Sequence, residues 1–288
     1  MRDSLPGGRG TVIARVLVPG RGVFAARPGV GAGAIASLLE SHRLETDPAR
    51  VLKRNRGTVV TRVSSSIPEA PGEWVVKETP IPWRRRLYHR AGGTSRFAGE
   101  FERVEMLAAL GIEAPRPLAA SSRPAGRSEF LITELISGAR PLRDLLWMGT
   151  EPLDDPDLRR SLLEGAGAWL RGLHEAGVWQ RDMKAGNVLA THPKEGSERF
   201  FLIDIDGVRI LRGPLGESRR VRNLAQILDL PRRLDEEAAT GLLAGYAGGD
   251  ASLRERLRSL ASLALEARRR ERQGRTGARH VDEEVADA

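Results

Sequence analysis

Arg181-Asp182-Met183-Lys184-Ala185-Gly186-Asn187, followed after an apolar run Phe200-Phe201-Leu202-Ile203 by Asp204, decides how this chain is read. In order it presents an acid, a lysine, an amide and a second acid. Phosphoryl transfer to an alcohol asks for such a set. One carboxylate orients the attacking hydroxyl and accepts its proton, while an amide oxygen and another carboxylate hold Mg²⁺ on the nucleotide phosphates. Asp182 is the candidate base, and Asn187 and Asp204 are the candidate metal ligands. Two protein oxygens suit Mg²⁺, which keeps waters and phosphate oxygens as its other ligands. Taken singly, Asp182 is a solvated turn residue and Asn187 a turn cap; the combination carries the reading. Asp206 competes with Asp204, and if Asp204-Ile205-Asp206 stays extended the two point to opposite faces. Asp204 follows the apolar run directly and is the preferred ligand. Lys184 either neutralises charge on the transferring group or stands in solvent.

Working outward, Leu158, Leu162, Leu163, Ala166, Trp169, Leu170 and Leu173 form one helical stripe, closed by His174 and Gly177. Val188-Leu189-Ala190 and Phe200–Ile203 read as short strands around a polar turn, His192 to Arg199. Leu224–Leu228 and Leu253–Leu265 supply further helices, and the charged run from Arg268 reads as a frayed tail. Upstream the pattern is strand-rich. Val59, Val60 and Val63 mark one strand and Trp74-Val75-Val76-Lys77 another, joined by a Ser/Pro/Gly-rich hairpin connection from Ser64 to Gly72. Phe97 to Leu110 recurs at helical spacing and Gly111 stops it. Phe130–Thr133 is another strand.

Lys77, at the end of a buried strand, is placed to reach nucleotide α/β-phosphates, and it needs a carboxylate to position it. Glu100 on the following helix is the first choice; Glu102 and Glu105 remain alternatives off that stripe. Glu134-Leu135-Ile136 lies where a connector offers backbone groups to adenine. Lys53-Arg54-Asn55-Arg56-Gly57-Thr58 takes the place of a glycine-rich phosphate loop, with cations in place of most of the glycines.

Composition narrows the class. The chain has 288 residues, no cysteine, five histidines without zinc spacing and no apolar run near the roughly 20 residues of a membrane span. The start, Met1 to Gly8, lacks a signal-peptide core, so a cytoplasmic protein is expected. The net charge of +8, mostly arginine, calls for an anionic partner or reflects an arginine-rich composition. Aromatic content of 5% offers no stacking pattern, which argues against the non-enzymatic alternative, a basic nucleic-acid-binding protein. Gly29, Gly31 and Ala34 stand at dinucleotide-fingerprint offsets, but no convincing second strand with its own helix follows, so they read as a lead into a helix.

Four stretches resemble the lipopolysaccharide core sugar kinases, the Kdo/heptose kinase family of the protein-kinase-like superfamily. They are Val51–Val63; Glu100 through Leu110-Gly111-Ile112-Glu113-Ala114-Pro115 to Ala119; Leu173 to Leu189; and Phe201 to Arg209, with Arg222-Asn223-Leu224-Ala225 as a further segment. The resemblance implies an α+β, bilobal protein-kinase-like fold. Residues 1–50 would be a partly flexible extension, 51–136 a small β-rich N-lobe with one key helix, 137–270 a compact helical C-lobe and 271–288 a frayed tail. It implies ATP and Mg²⁺, with Asp182 as base, Asn187 and Asp204 as metal ligands and Lys77 with Glu100 as the ATP pair. The acceptor would be an anionic glycolipid at the inner face of the cytoplasmic membrane. Arg84-Arg85-Arg86, Arg96 and the arginines from 268 to 272 would rest on its phosphates or on acidic headgroups. Two positions depart from the pattern. Gln180 stands where the superfamily usually has histidine, and Lys184 is more usual in kinases acting on serine or threonine. A serine/threonine protein kinase, or another small-molecule kinase, is therefore the alternative. The stretch after Asp204 is short for a peptide-binding platform and holds no Ala-Pro-Glu anchor.

Overall fold

Alternating burial along the strands organises the first part of the molecule. The computed structural model describes residues 13–55, 57–147, 156–191, 198–229 and 236–286, and the chain divides into two compact units, Met1–Ser137 and Gly138–Ala288. In the first unit the strands are β1 (Ala14–Val18), β2 (Gly22–Ala26), β3 (Val51–Asn55), β4 (Thr58–Ser65), β5 (Gly72–Pro80), β6 (Pro117–Pro124) and β7 (Ser128–Glu134). They form one antiparallel sheet in the order β1-β2-β6-β7-β5-β4-β3. The helices are α1 (Ala32–Leu44), α2 (Trp83–Arg90) and α3 (Glu100–Ala109).

Successive residues of a strand feed opposite cores. Phe24, Ala26, Val76, Ala119, Phe130 and Ile132 pack with Ile35, Leu38 and Leu39 of α1. Their neighbours Ala25, Ala120 and Leu131 pack with Phe97 and with Phe101 of α3. The sheet is thus covered by α1 on one face and α3 on the other. Gly111, at φ +73°, ends α3 as expected, with its N–H bonded to Ala108 O and Ile112 N–H to Leu107 O.

Two sequence expectations change here. Residues 14–44, read as an extension, supply two strands, a helix and much of the larger core. The helix expected after the glycines is α1, and within residues 51–136 the expected single key helix is joined by α2. The glycines at 29 and 31 lead into α1, and the antiparallel sheet offers no parallel βαβ unit for a dinucleotide.

The second unit contains β8 (Ala139–Pro141), α4 (Leu142–Trp147), α5 (Pro156–Glu175), β9 (Val178–Gln180), β10 (Val188–Thr191), β11 (Phe200–Leu202), β12 (Val208–Ile210), α6 (Glu217–Ile227), α7 (Glu236–Ala247) and α8 (Ala251–Ala286). Its strands make two small antiparallel sheets, β11-β10-β8 and β12-β9. Helices α5 and α7 approach closely because glycines face backbone across the contact. A Cβ on Gly167 would collide with the main chain of Leu242 and Tyr246, and one on Gly245 with that of Glu164. The helix α7 was not expected from the sequence, since its Ala/Gly-rich contact face lacks a strong apolar stripe. The segment read as a frayed tail has helical backbone to Ala286 within α8. Most of the turn at His192 to Arg199, and Arg56 of the basic loop, lie outside the described residues. No helix among the described residues is long and apolar enough to cross a membrane.

Candidate active site

Asp182 sits in a turn whose backbone is held from below by buried amides. Strand β9 ends at Gln180, paired with Val208 of β12, and the chain then turns through Arg181 and Asp182 into a 3₁₀ turn, Ala185–Asn187. Helix α6 presents Asn223 and Gln226, both buried. Asn223 Nδ2 donates to Gln180 O at 2.7 Å and to Gln226 Oε1 at 3.0 Å. Gln226 Nε2 donates to Arg181 O at 2.9 Å, and its Oε1 accepts Met183 N–H at 3.0 Å. Met183 is itself fully buried, which pins the turn on its apolar side while leaving Asp182 half-exposed.

The candidate metal ligands hang from the same backbone. Asn187 Nδ2 donates to Asp182 O at 2.9 Å, which leaves Oδ1 as the acceptor offered to a cation. Ile203 N–H bonds Asn187 O at 2.9 Å, so Asp204 follows directly on a backbone partner of Asn187. Asp204 is exposed, and among the described residues it is the one non-glycine with positive φ, at +59°. A left-handed aspartate costs on the order of 1 kcal/mol. The conformation is held by Gln180, whose Nε2 donates to Asp204 O at 2.9 Å while its Oε1 accepts Asp182 N–H at 3.4 Å. Gln180, which departs from the superfamily pattern, thus ties the candidate base to the candidate metal ligand. Gly207 is required beside it, since a Cβ there would lie 2.5 Å from Gln180 Oε1.

The expectation of an extended Asp204-Ile205-Asp206 is corrected. Asp204 is left-handed and Ile205–Gly207 form a 3₁₀ turn, so strand alternation does not set where the two acids point. Lys184 is exposed and its Nζ bonds Asp182 Oδ2 at 2.7 Å. Among the described residues no cluster of three His, Cys, Asp or Glu could hold a metal. An Asn–Asp pair of hard oxygens fits Mg²⁺ with nucleotide phosphates and waters, and would not make a closed protein cage.

Beneath Asn223 lies a polar line the sequence reading missed. Arg220 Nη1 donates to Tyr246 OH at 3.4 Å, Tyr246 OH to His174 Nδ1 at 2.7 Å, and His174 Nε2 to Asn223 Oδ1 at 3.2 Å. His174 had been read as a helix end; it is fully buried. Burial, together with the Arg220 charge, lowers its pKa to about 4, against an opposing effect of its Asn223 bond. Burial also raises the Tyr246 pKa, so the phenol stays a neutral donor. A neutral His174 that the unfolded chain would protonate below about pH 6.5 makes stability fall as pH drops from about 6.5 to 4. The expected loss is on the order of 3 kcal/mol across that window. Urea midpoints at pH 7 and pH 4.5 should diverge in the native chain and much less in His174→Gln; equal divergence in both would assign the acid sensitivity elsewhere.

The remaining candidates lie in the first unit. Lys77 pairs with Leu131 across the sheet and so shares the α3 face, and its Nζ lies 5.6 Å from the centre of the Phe97 ring. Glu100 opens α3 three residues after Phe97; it is buried, with Arg103 Nη1 3.5 Å from its Oε2. Lys77 and the start of α3 are therefore brought to one face. The next residue, Glu78, points the other way, to His42 Nε2 at 3.2 Å, and that hydrogen bond holds its carboxyl below the usual range. Glu134 is engaged in the sheet region: its N–H bonds Arg116 O at 3.0 Å and its Oε1 accepts Arg116 N–H at 2.9 Å. Ile136 follows, half-buried and beyond the strand. Lys53 and Arg54 are exposed on β3.

Comparison with known proteins gives the class. The sequence profile of the lipopolysaccharide kinase (Kdo/WaaP) family matches residues 44–246, and the chain belongs to that family. It is a kinase of the lipopolysaccharide core class, for which ATP is the phosphoryl donor. A search of curated proteins gives no match. Among solved structures, WaaP in complex with acyl carrier protein shares the fold, with a TM-score of 0.50 and 18% identity, covering 79% of this chain and 92% of that one.

Proposed function

We propose that the enzyme transfers the γ-phosphoryl group of ATP to a hydroxyl of a Kdo or heptose residue in the lipopolysaccharide inner core. In this reading the fold is bilobal and protein-kinase-like, with residues 14–136 as N-lobe and 137–270 as C-lobe. The observation that carries it is the shared backbone support of Asp182, Asn187 and Asp204, tied by Gln180 and by the Asn187–Asp182 bond. Asp182 orients the sugar hydroxyl and takes its proton as the oxygen attacks phosphorus. Lys184, already bonded to Asp182, balances negative charge gathering on the transferred group. Lys77, positioned by Glu100, holds the α/β-phosphates, and the connector from Glu134 to Ile136 meets adenine through its backbone. Asn187 and Asp204 hold Mg²⁺, which when bound neutralises phosphate charge. The acceptor is an anionic glycolipid, met at the cytoplasmic face of the inner membrane.

The test is transfer from labelled ATP to purified inner-core glycolipid and, separately, to protein substrates, with the product located on the sugar by mass. Label on serine or threonine, with none on glycolipid, would sink the reading in favour of a protein kinase. Gln180 supplies a second check. Gln180→Leu keeps the volume but removes the bonds to Asp204 O and Asp182 N–H. The Mg²⁺ concentration for half-maximal rate should rise about 10- to 100-fold. An unchanged Mg²⁺ dependence would detach Gln180 from the metal side of the site.

A further inference from the structure

The basic run at 84–86 does not act as a block. Arg84 stacks on Trp83, with its guanidinium 5.3 Å from the ring, and Arg96 is held by Glu129 at 3.0 Å. Arg86 instead joins His89 and Arg90 of α2 and Arg127 of the β6–β7 turn around a cavity of about 580 Å³, lined also by Pro124, Ala125 and Gly126. Among the described residues no carboxylate lines it. Among the described residues none of these three arginines has an ion-pair partner. His89 donates from Nδ1 to Gly93 O at 3.1 Å, and its Nε2 is buried without a hydrogen-bond partner. Three arginines around one cavity suit a phosphate, which takes arginine in a bidentate fork. The volume is that of a small-molecule site.

Helix α2 buries none of its residues. Trp83, Leu87 and Tyr88 are exposed at 60%, 54% and 55%. Trp83 and Leu87 stand one turn apart on a common face, and Arg86 and Arg90 occupy the adjoining stripe, so the apolar pair borders the cationic rim of the cavity. Exposed tryptophan, tyrosine and leucine interleaved with arginine is the composition of a helix lying in a membrane interface, with cations at the headgroups and rings at the acyl boundary. We propose that this cavity binds the phosphate of an anionic lipid headgroup, and that α2 seats the first unit on the lipid surface through Trp83 and Leu87. The apolar rim favours a bilayer over an acidic protein or free phosphate, neither of which gives those side chains an apolar phase. The inference needs no particular acceptor sugar, and its readout is binding, so it stands or falls apart from the proposed reaction.

The experiment is flotation of the full chain with phosphatidylcholine vesicles, with and without phosphatidic acid. Native protein should float only with the anionic vesicles. The triple variant Arg86→Glu, Arg90→Glu, Arg127→Glu should lose about 100-fold in partitioning. Trp83→Ser with Leu87→Ser should also lose partitioning, with far-ultraviolet circular dichroism unchanged in both. Arg90→Glu alone, a single exposed change, should fall in between. Flotation of the triple variant equal to native protein would overturn the proposal. So would equal flotation with neutral vesicles. Competition by inorganic phosphate with no effect of the Trp83/Leu87 change would reassign the cavity to a soluble phosphate, and charge-dependent binding of polyglutamate without flotation would reassign it to an acidic protein.

Discussion

Asp182→Ala is expected to lower kcat for transfer to the sugar hydroxyl by about 10³-fold, with the KM for ATP little changed. In the proposed reaction the carboxylate acts on the acceptor, whereas the nucleotide contacts come from other residues. Stability should hardly move. The side chain is half-exposed, and among the described residues its direct side-chain partner is the exposed Lys184, a surface pair worth about 0–1 kcal/mol. The backbone bonds to Asp182 O and N–H survive the change. Single-turnover rates with unaltered thermal midpoints would meet the expectation. Transfer at native rates by the alanine enzyme would remove Asp182 from the chemistry and with it the assignment of the whole turn.

Asn223→Leu is expected to be the most damaging change away from the reacting groups. It strips the Asn223 partner from Gln180 O and His174 Nε2 in buried surroundings, and removes one of the two donors to Gln226 Oε1, which keeps Met183 N–H. Each buried group left unsatisfied costs about 1–3 kcal/mol, so a loss of about 2–6 kcal/mol is expected where solvent cannot enter. Because Gln226 also holds Arg181 O and Met183 N–H, the fraction that folds should show a lower kcat with a smaller effect on KM. Asn223→Asp tests position against packing: it keeps the acceptor for His174 but cannot donate to Gln180 O. Native stability and kcat in the leucine variant would show that the turn is fixed by packing around Met183 alone.

Much of this architecture was legible in the residues. Short apolar runs betrayed β5 and β7, the stripe from Leu158 to Leu173 betrayed α5, and the order Asp182, Lys184, Asn187, Asp204 pointed to a kinase, the class to which the family belongs, because a phosphoryl-transfer site constrains residue type and spacing together. What stayed hidden had physical causes. The helix after Gly33 was expected, but the place of the 14–44 strands in the core was not, because they bury through contacts distant in sequence, with Phe24 and Ile132 in one core. The 3₁₀ turn after Asp204 hides because isoleucine and aspartate alternate as a strand would. The role of Gln180 rests on three-dimensional neighbours that carry no local pattern: a carbonyl at Asp204 and an N–H at Asp182. His174, Asn223, Gln226 and Tyr246 are spread over some 70 positions, with 72 separating His174 from Tyr246, and no periodicity relates them.

That span has a consequence for how the enzyme is made. The glycine-mediated seam of α5 with α7, and the Tyr246 hydroxyl on His174, close a loop that contains every proposed reacting group of the second unit. On the ribosome, Asp182 and Asp204 emerge well before Tyr246, so a nascent chain halted upstream of α7 carries the reactive side chains without the scaffold that aligns them. Competence should therefore switch on late, over the few codons that deliver Gly245 and Tyr246, and not grow gradually with length.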